Sequence, residues 1–334
     1  MRTAVIGLGW WGRILSRTLR DPASIWRLAR AVEPDANRAR EAGPELSVPI
    51  DARYEDALED RAIEAVVLAT PHSMHEAQAI AAARAGKHVF VEKPLGLTLA
   101  SASHVVEACR AAGVTLGVGH ERRFEPPQRD LRALAESGGL GTLMQVEANF
   151  SHDKFTALSA DNWRLSAAEA PAGGMTATGI HLLDLAIALL GDPVSAYATS
   201  ATLASNIANG DSLSVCVRFA SGATATINVM LATPFISRFA CYGSQGWVEI
   251  RDKAHVEAPQ GWLLTHAAPG DAPRTRDYPI ARPVLDNLNA FATAAAGRAP
   301  YPISHAAMLK TIAALEAVFK SAASGKVEEV SAVL

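Results

Sequence analysis

A chain of 334 residues, 49% of them hydrophobic, is long enough to divide into two domains with separate cores. A formal net charge of −3 excludes a broad electropositive footprint for nucleic acid or an anionic membrane. Cys109, Cys216 and Cys241 lack metal-ligand spacing and read as reduced thiols of a cytoplasmic protein; no segment approaches the ~20 apolar residues of a membrane span, and no His, Cys or carboxylate cluster calls for a metal.

The N-terminal apolar run, Thr3 to Gly7, is too short for a signal-peptide core and reads instead as a buried strand. It enters Gly7-Leu8-Gly9-Trp10-Trp11-Gly12, a G-x-G-x-x-G turn, and then a helix, Arg13 to Arg20. In this context Gly7 permits the tight turn, Gly9 lets the backbone approach a pyrophosphate, and Gly12 lets helix and strand pack closely. The helix N-terminus adds free N–H groups and a positive dipole end, with Trp10 and Trp11 placed on the same cofactor loop. A second strand, Leu28 to Val32, ends at Glu33, about 20 residues beyond Gly12, where a carboxylate meets the adenosine ribose. That favours NAD; Arg38 leaves NADP as the alternative and otherwise reads as a solvated helix residue.

Alternation continues with strand Ala65 to Ala69, helix Glu76 to Ala85, strand His88 to Val91, helix Leu99 to Ala112 and strand Thr115 to Val118. Strands alternating with helices of this length predict a doubly wound parallel sheet. Ligands in such sheets sit beyond the carboxyl ends of the strands. The loop Thr70-Pro71-His72-Ser73-Met74-His75 is therefore expected beside the nicotinamide half, with Thr70 and Pro71 as cofactor contacts, His75 either capping the next helix or touching a phosphate or ribose of the cofactor, and His72 an exposed loop residue. The apolar run His88 to Val91 stops at Glu92-Lys93-Pro94, which aims Glu92 and Lys93 at whatever is bound.

These motifs, with Ala85-Gly86-Lys87 before the strand and Arg122-Arg123-Phe124, Asn162-Trp163-Arg164 and Gly173-Gly174-Met175-Thr176-Ala177-Thr178-Gly179-Ile180-His181 beyond it, resemble the glucose-fructose oxidoreductase/inositol dehydrogenase (Gfo/Idh/MocA) family over essentially the whole chain. The resemblance implies a Rossmann domain, expected over 1–120, and an α+β domain over 121–334 with a large, open, mostly antiparallel sheet. It also implies NAD(P)-dependent oxidation or reduction of a hydroxyl or ketone on a sugar, cyclitol or related polyol. Carried over residue by residue, it puts the catalytic lysine at Lys93 and the catalytic histidine at His181, and a commonly cis proline at Pro94. Trp163 and Arg164 fall near cofactor and substrate. Where relatives often carry an aspartate four residues before the histidine, this chain has Ala177, with Thr178 the nearby polar substitute.

The second domain begins on the crossing segment Gly119 to Phe124, which is expected to bring His120, Arg122 and Arg123 to the substrate. Together with Glu121 and Arg164 they suggest a polar, carboxylated ligand on composition alone. A helix Pro127 to Glu136, a strand Leu143 to Phe150, an irregular stretch Ser151 to Ala172 and a helix Met175 to Leu190 follow; Asp184 on that helix is a candidate to orient His181. From Val194 onward the apolar pattern has period two, as in an antiparallel sheet with one face on helices. In the family its other face pairs with another subunit, so a homodimer or homotetramer is expected. Helices Val284 to Ala296 and Ser304 to Ser324 close the chain.

The expected chemistry is hydride transfer with His181 as general base or acid and Lys93 stabilising alkoxide charge, since an imidazole titrates near neutrality and serves both directions. Two alternatives remain at this point: NAD-assisted elimination or hydrolysis on the same fold, and a non-catalytic NAD-responsive binding protein, which the alanine at position 177 encourages.

Overall fold

The computed structural model describes residues 1–256 and 258–333. In chain order the early elements are β1 (Arg2–Ile6), α1 (Trp10–Leu19), β2 (Arg27–Val32), α2 (Ala36–Leu46), β3 (Ile50–Asp51), α3 (Tyr54–Glu59), β4 (Ala65–Leu68), α4 (His75–Arg84), β5 (His88–Val91), α5 (Leu99–Ala111) and β6 (Leu116–Val118). Among the described residues these strands form a six-stranded parallel sheet in the order β3-β2-β1-β4-β5-β6, the doubly wound arrangement expected. β5 has the expected bounds because its apolar run ends abruptly at Glu92. Arg38 lies on α2, a helix whose bounds the sequence left undefined. Asp35 caps it by accepting hydrogen bonds from the Asn37 and Arg38 N–H groups, but Pro44 inside the helix obscures the pattern.

The remaining elements are α6 (Pro126–Glu136), β7 (Leu143–Ser151), α7 (Ile180–Leu190), β8 (Pro193–Ala201), β9 (Ser212–Phe219), β10 (Thr224–Met230), β11 (Ile236–Gly243), β12 (Gly246–Asp252), β13 (Trp262–Ala267), β14 (Arg274–Tyr278), α8 (Pro283–Ala295), α9 (His305–Ser324) and β15 (Glu328–Glu329). Their strands form a nine-stranded sheet, β14-β13-β12-β11-β7-β10-β9-β8-β15, among the described residues. It is antiparallel except where β7 and β10 run parallel. One face is apolar, carrying Val146, Ala148, Val215, Val217, Ala225, Ile227 and Phe239, and α7 packs on it over β7 and β10. On the other face Arg238 bridges Glu147 and Glu249 and donates to the Tyr242 hydroxyl.

Contacts divide the chain into two compact units. One comprises Met1–Glu121 with Pro283–Leu309, the other Arg122–Arg282 with the chain from Lys310 onward. The break after Glu121 lies beside the expected boundary, but α8, assigned from sequence to the second domain, belongs to the first. Its Leu288, Phe291 and Ala292 fill the core built from Val5, Leu15, Trp26 and Phe90. The Trp26 indole N–H donates to the Leu288 carbonyl at 2.7 Å, and the Asn287 amide donates to the Val118 carbonyl at 2.9 Å. An apolar helix face matches any apolar surface in sequence, so only packing decides which unit receives it.

Candidate active site

In the first unit the glycines do steric work. Gly7 has φ +88°, and a Cβ on Gly12 would stand 1.9 Å from the Gly7 carbonyl oxygen, so helix and turn approach too closely for any side chain. Gly9 caps α1 without a side-chain cap and has open space where a Cβ would point. Trp10 is 49% exposed and its ring lies 5.3 Å from that of Trp11. Glu33 is buried, its carboxylate accepting from the Leu8 N–H at 2.8 Å and the Asp35 N–H at 3.1 Å. It braces the glycine turn, and a carboxylate with about four acceptor positions keeps capacity for a ribose diol. Arg38 is exposed but lies 3.8 Å from the same carboxylate, closer than a purely solvated helix residue.

The strand-end loops are held from within. The Thr70 hydroxyl donates to Gln78 Oε1 at 2.6 Å, and Pro71 is extended. His75 is fully buried, with Nδ1 2.8 Å from the Pro94 carbonyl oxygen and Nε2 3.0 Å from that of Thr70. The residue expected on a phosphate or ribose therefore ties the β4 loop to the segment after β5 and is a positioning residue. His72, expected in solvent, is buried and meets His75 edge to face. The Lys93–Pro94 peptide is cis.

Glu92, expected on the cofactor, turns inward. Its carboxyl packs so tightly on Gly119 that a Cβ there would stand 2.4 Å from Glu92 Oε2, and the Lys93 N–H lies 3.3 Å from the same oxygen. Burial, then the nearby Glu121 carboxylate, push the Glu92 carboxyl up to about 8, with Trp11 and Lys93 acting the other way. A carboxyl raised in the folded state stabilises it at low pH and loses that contribution as pH rises through the folded value. Glu92→Gln, which mimics the neutral acid, is accordingly expected to flatten the fall in thermal midpoint between about pH 5 and 8 by a few degrees. Parallel melting curves for the two proteins would refute it.

In the second unit two arginines expected at the substrate prove to be internal. Arg122 is buried, ion-paired with Asp252 and 3.6 Å from Glu125, and donates to Ser237 Oγ. Arg123 grips Asp184 with two charge-assisted bonds of 2.6 and 2.7 Å, and Thr311 donates to the same carboxylate at 3.1 Å. Asp184 thus accepts from both Arg123 and Thr311. Removing one partner of a buried pair strands the other charge, so Arg123→Ala should lower the unfolding free energy by about 3–5 kcal/mol in urea denaturation. A loss below about 1 kcal/mol would show the pair to be dispensable.

The helix carrying His181 begins as a π-type turn, Met175–Gly179, running into α7. Such turns reset which side chains share a face. Thr178 is not a simple stand-in for the missing aspartate, since its hydroxyl donates to the Phe150 carbonyl at 2.8 Å and anchors the helix to β7. His181 itself is 6% exposed. Arg164 stacks over Trp163 at 4.3 Å, and burial pushes its guanidinium down to about 10. Its backbone is fixed by Asn162, whose side chain accepts from the Arg164 N–H, and by Asn209, whose amide donates to the Arg164 and Ala170 carbonyls. Gln78 and Asn209 carry no sequence signal; their partners are assembled only by folding. His120, expected at the substrate, is buried at the end of β6.

Residues 1–120 match a family model described as an oxidoreductase family with an NAD-binding Rossmann fold, and 128–249 match the GFO/IDH/MocA C-terminal domain. The 1,5-anhydro-D-fructose reductase of Ensifer adhaerens is 30% identical over 306 residues, 91% of this chain and 90% of that protein. The chain belongs to the Gfo/Idh/MocA family of oxidoreductases. The D-xylose 1-dehydrogenase (NADP(+)) 2 of Haloferax volcanii is 27% identical over 308 residues, 92% of this chain and 93% of that one. The crystal structure of aldose-aldose oxidoreductase from Caulobacter crescentus, complexed with glycerol, has a TM-score of 0.84 and 27% identity, covering 98% of this chain and 99% of that one. The residues present fit the dinucleotide of a Gfo/Idh/MocA enzyme: open space over Gly9 at the α1 N-terminus suits a pyrophosphate, and Glu33 suits a ribose. Among the described residues no group of three or more His, Cys, Asp or Glu could hold a metal ion, and no helix is long and apolar enough to cross a membrane.

Proposed function

We propose that this NAD(P)-dependent oxidoreductase interconverts a secondary hydroxyl and a ketone on a sugar, cyclitol or related polyol, with Lys93 and His181 as its catalytic residues. The nicotinamide, when bound, supplies the hydride acceptor or donor. His181 takes the hydroxyl proton in oxidation and returns it in reduction. Lys93, a compact ammonium with three donors, stabilises developing alkoxide charge at the same or an adjacent hydroxyl. Trp163, Arg164, Thr70 and Pro71 border cofactor and substrate, and His120 touches substrate; Arg122 and Arg123 are withdrawn from that role by their internal carboxylates.

The observation that carries the reading is a glycine cradle closed by Gly7 and Gly12 in the same unit as a strand-end Lys93 whose neighbours, His75 and Glu92, hold its backbone in place. Glu33 favours NAD, with Arg38 near enough to admit NADP. The three free cysteines fit a cytoplasmic location, and the polar, ion-paired face of the large sheet is the surface we assign to a homodimer or homotetramer. The test is absorbance at the NADH band over a panel of sugars, cyclitols and sugar acids, run in both directions. Net NADH formation is expected; product without net NADH would point to internally recycled cofactor, and binding without any turnover would sink the enzymatic reading.

A further inference from the structure

The irregular stretch after β7 is held from one side by the connection between β8 and β9. Past the short turn at Trp163–Leu165, residues 166–173 belong to no helix or strand, so carbonyls of this stretch must find their donors elsewhere. Asn209 supplies two of them. Its amide donates to the Arg164 carbonyl at 2.9 Å and to the Ala170 carbonyl at 2.7 Å. Both N–H bonds of one planar group are thereby spent on the two ends of the segment, which fixes the orientation of the amide. Asn162 closes the same stretch from its other end, its Oδ1 accepting from the Arg164 N–H at 3.1 Å.

The connection that carries Asn209 is itself firmly tied. The Asp211 carboxylate accepts from the Leu203 and Ala204 N–H groups, both at 2.8 Å, and from the Ser205 hydroxyl at 2.9 Å, while the Thr202 hydroxyl donates to the Ile207 carbonyl at 2.9 Å. Ile207 and Asp211 are buried. Beyond the amide the two segments meet backbone to backbone, since a Cβ on Gly173 would stand 2.3 Å from the Gly210 carbonyl oxygen. Ala172 and Gly173 are both left-handed there, with φ +50° and +33°, a costly conformation for alanine that persists only where the surroundings impose it. This turn runs directly into Met175–Gly179 and α7. His181 has further anchors, in the Thr178 hydroxyl on the Phe150 carbonyl and the buried leucines of α7. Arg164 depends on the loop: its guanidinium stacks on Trp163 at 4.3 Å, and the backbone beneath is fixed by Asn162 and Asn209.

We propose that Asn209 is a positioning residue: it clamps the Trp163–Arg164 segment in the shape that receives substrate, so that binding of the polyol depends on a side chain of the β8–β9 connection. The role in binding rests on the hydride-transfer reading above, in which Trp163 and Arg164 border the substrate; the clamp itself does not. Two measurements test it. Hydrogen exchange followed by mass spectrometry should find peptides within 162–172 protected in the wild-type protein and exchanging about 10-fold or more faster in Asn209→Ala, with α7 unchanged. With the sugar or cyclitol of the panel that is turned over fastest, KM should rise about 10-fold or more in this variant while kcat stays within about 3-fold, because an interaction made equally in ground and transition states is lost from binding alone. A merely stabilising residue would lower the amount of active enzyme and leave KM as it was. Asn209→Asp keeps the shape but turns an acceptor towards two carbonyl oxygens, so it should match the alanine variant; wild-type-like KM there would show that packing and not donation holds the segment, and would overturn the proposal. So would an unprotected 162–172 segment in the wild-type protein, a measurement that needs no variant to fold, or unchanged exchange or unchanged KM in Asn209→Ala. Local loosening in Asn209→Ala with no turnover of any sugar by the wild type would leave the clamp standing and sink the hydride-transfer reading; turnover with an unchanged KM would do the reverse.

Discussion

Replacing His181 by alanine is expected to lower kcat by ~10²–10⁴, the range for losing a general acid–base group. The residue sits on α7, among Ile180, Leu182, Leu183 and Leu185, which are buried and fix the helix independently of the imidazole. Truncation therefore removes the imidazole without removing the packing that holds the helix. The loss should fall on kcat in both directions and much less on KM, the pattern of a group that matters in the transition state. His181→Asn, which keeps polarity and approximate shape, should be as inactive as alanine, because an amide does not titrate. Wild-type-like turnover in either variant would remove His181 from the mechanism.

Lys93→Ala should be at least as damaging as the histidine change, again ~10²–10⁴ in kcat. Ala177 stands where the family resemblance places an aspartate, and the Asp184 carboxylate on the following turn accepts from Arg123 and Thr311. Thr178 is likewise spent on the Phe150 carbonyl. On the proposed mechanism, more of the charge stabilisation is then expected to fall on Lys93. The protein invests in its placement, with His75 holding the Pro94 carbonyl and Glu92 facing the Lys93 N–H. Lys93→Arg keeps the charge but replaces a compact point donor by a planar fork, so it should recover only part of the activity. Steady-state kinetics of both variants at saturating cofactor, with cofactor affinity measured separately, decide the matter. A loss of less than 10-fold in Lys93→Ala would sink this assignment.

Much of the first unit was legible in the sequence because its signals are local. A glycine turn between an apolar strand and a helix, and an apolar run that stops at Glu92, are decided by neighbours in the chain. The alternation of strands and helices likewise dictates a parallel sheet, and the period-two pattern after Val194 dictates an antiparallel one. His181 was singled out by its place in a motif. Nothing local distinguishes it from a packed helical histidine.

Tertiary structure decided what the charged residues do. Arg122 and Arg123 looked like ligand contacts because the carboxylates that claim them lie 130 and 61 residues away, at Asp252 and Asp184. Lys154 and His255, 101 residues apart, looked like nothing at all until β7 and the segment after β12 brought them to 3.0 Å. Glu92 and His75 pointed at the cofactor by position, but packing on Gly119 and two waiting carbonyls turned them inward. The physical reason is the same in each case. Backbone periodicity is set by near neighbours and can be read in order, whereas a buried charge must find a partner or change its protonation, and the fold alone determines which groups it can reach.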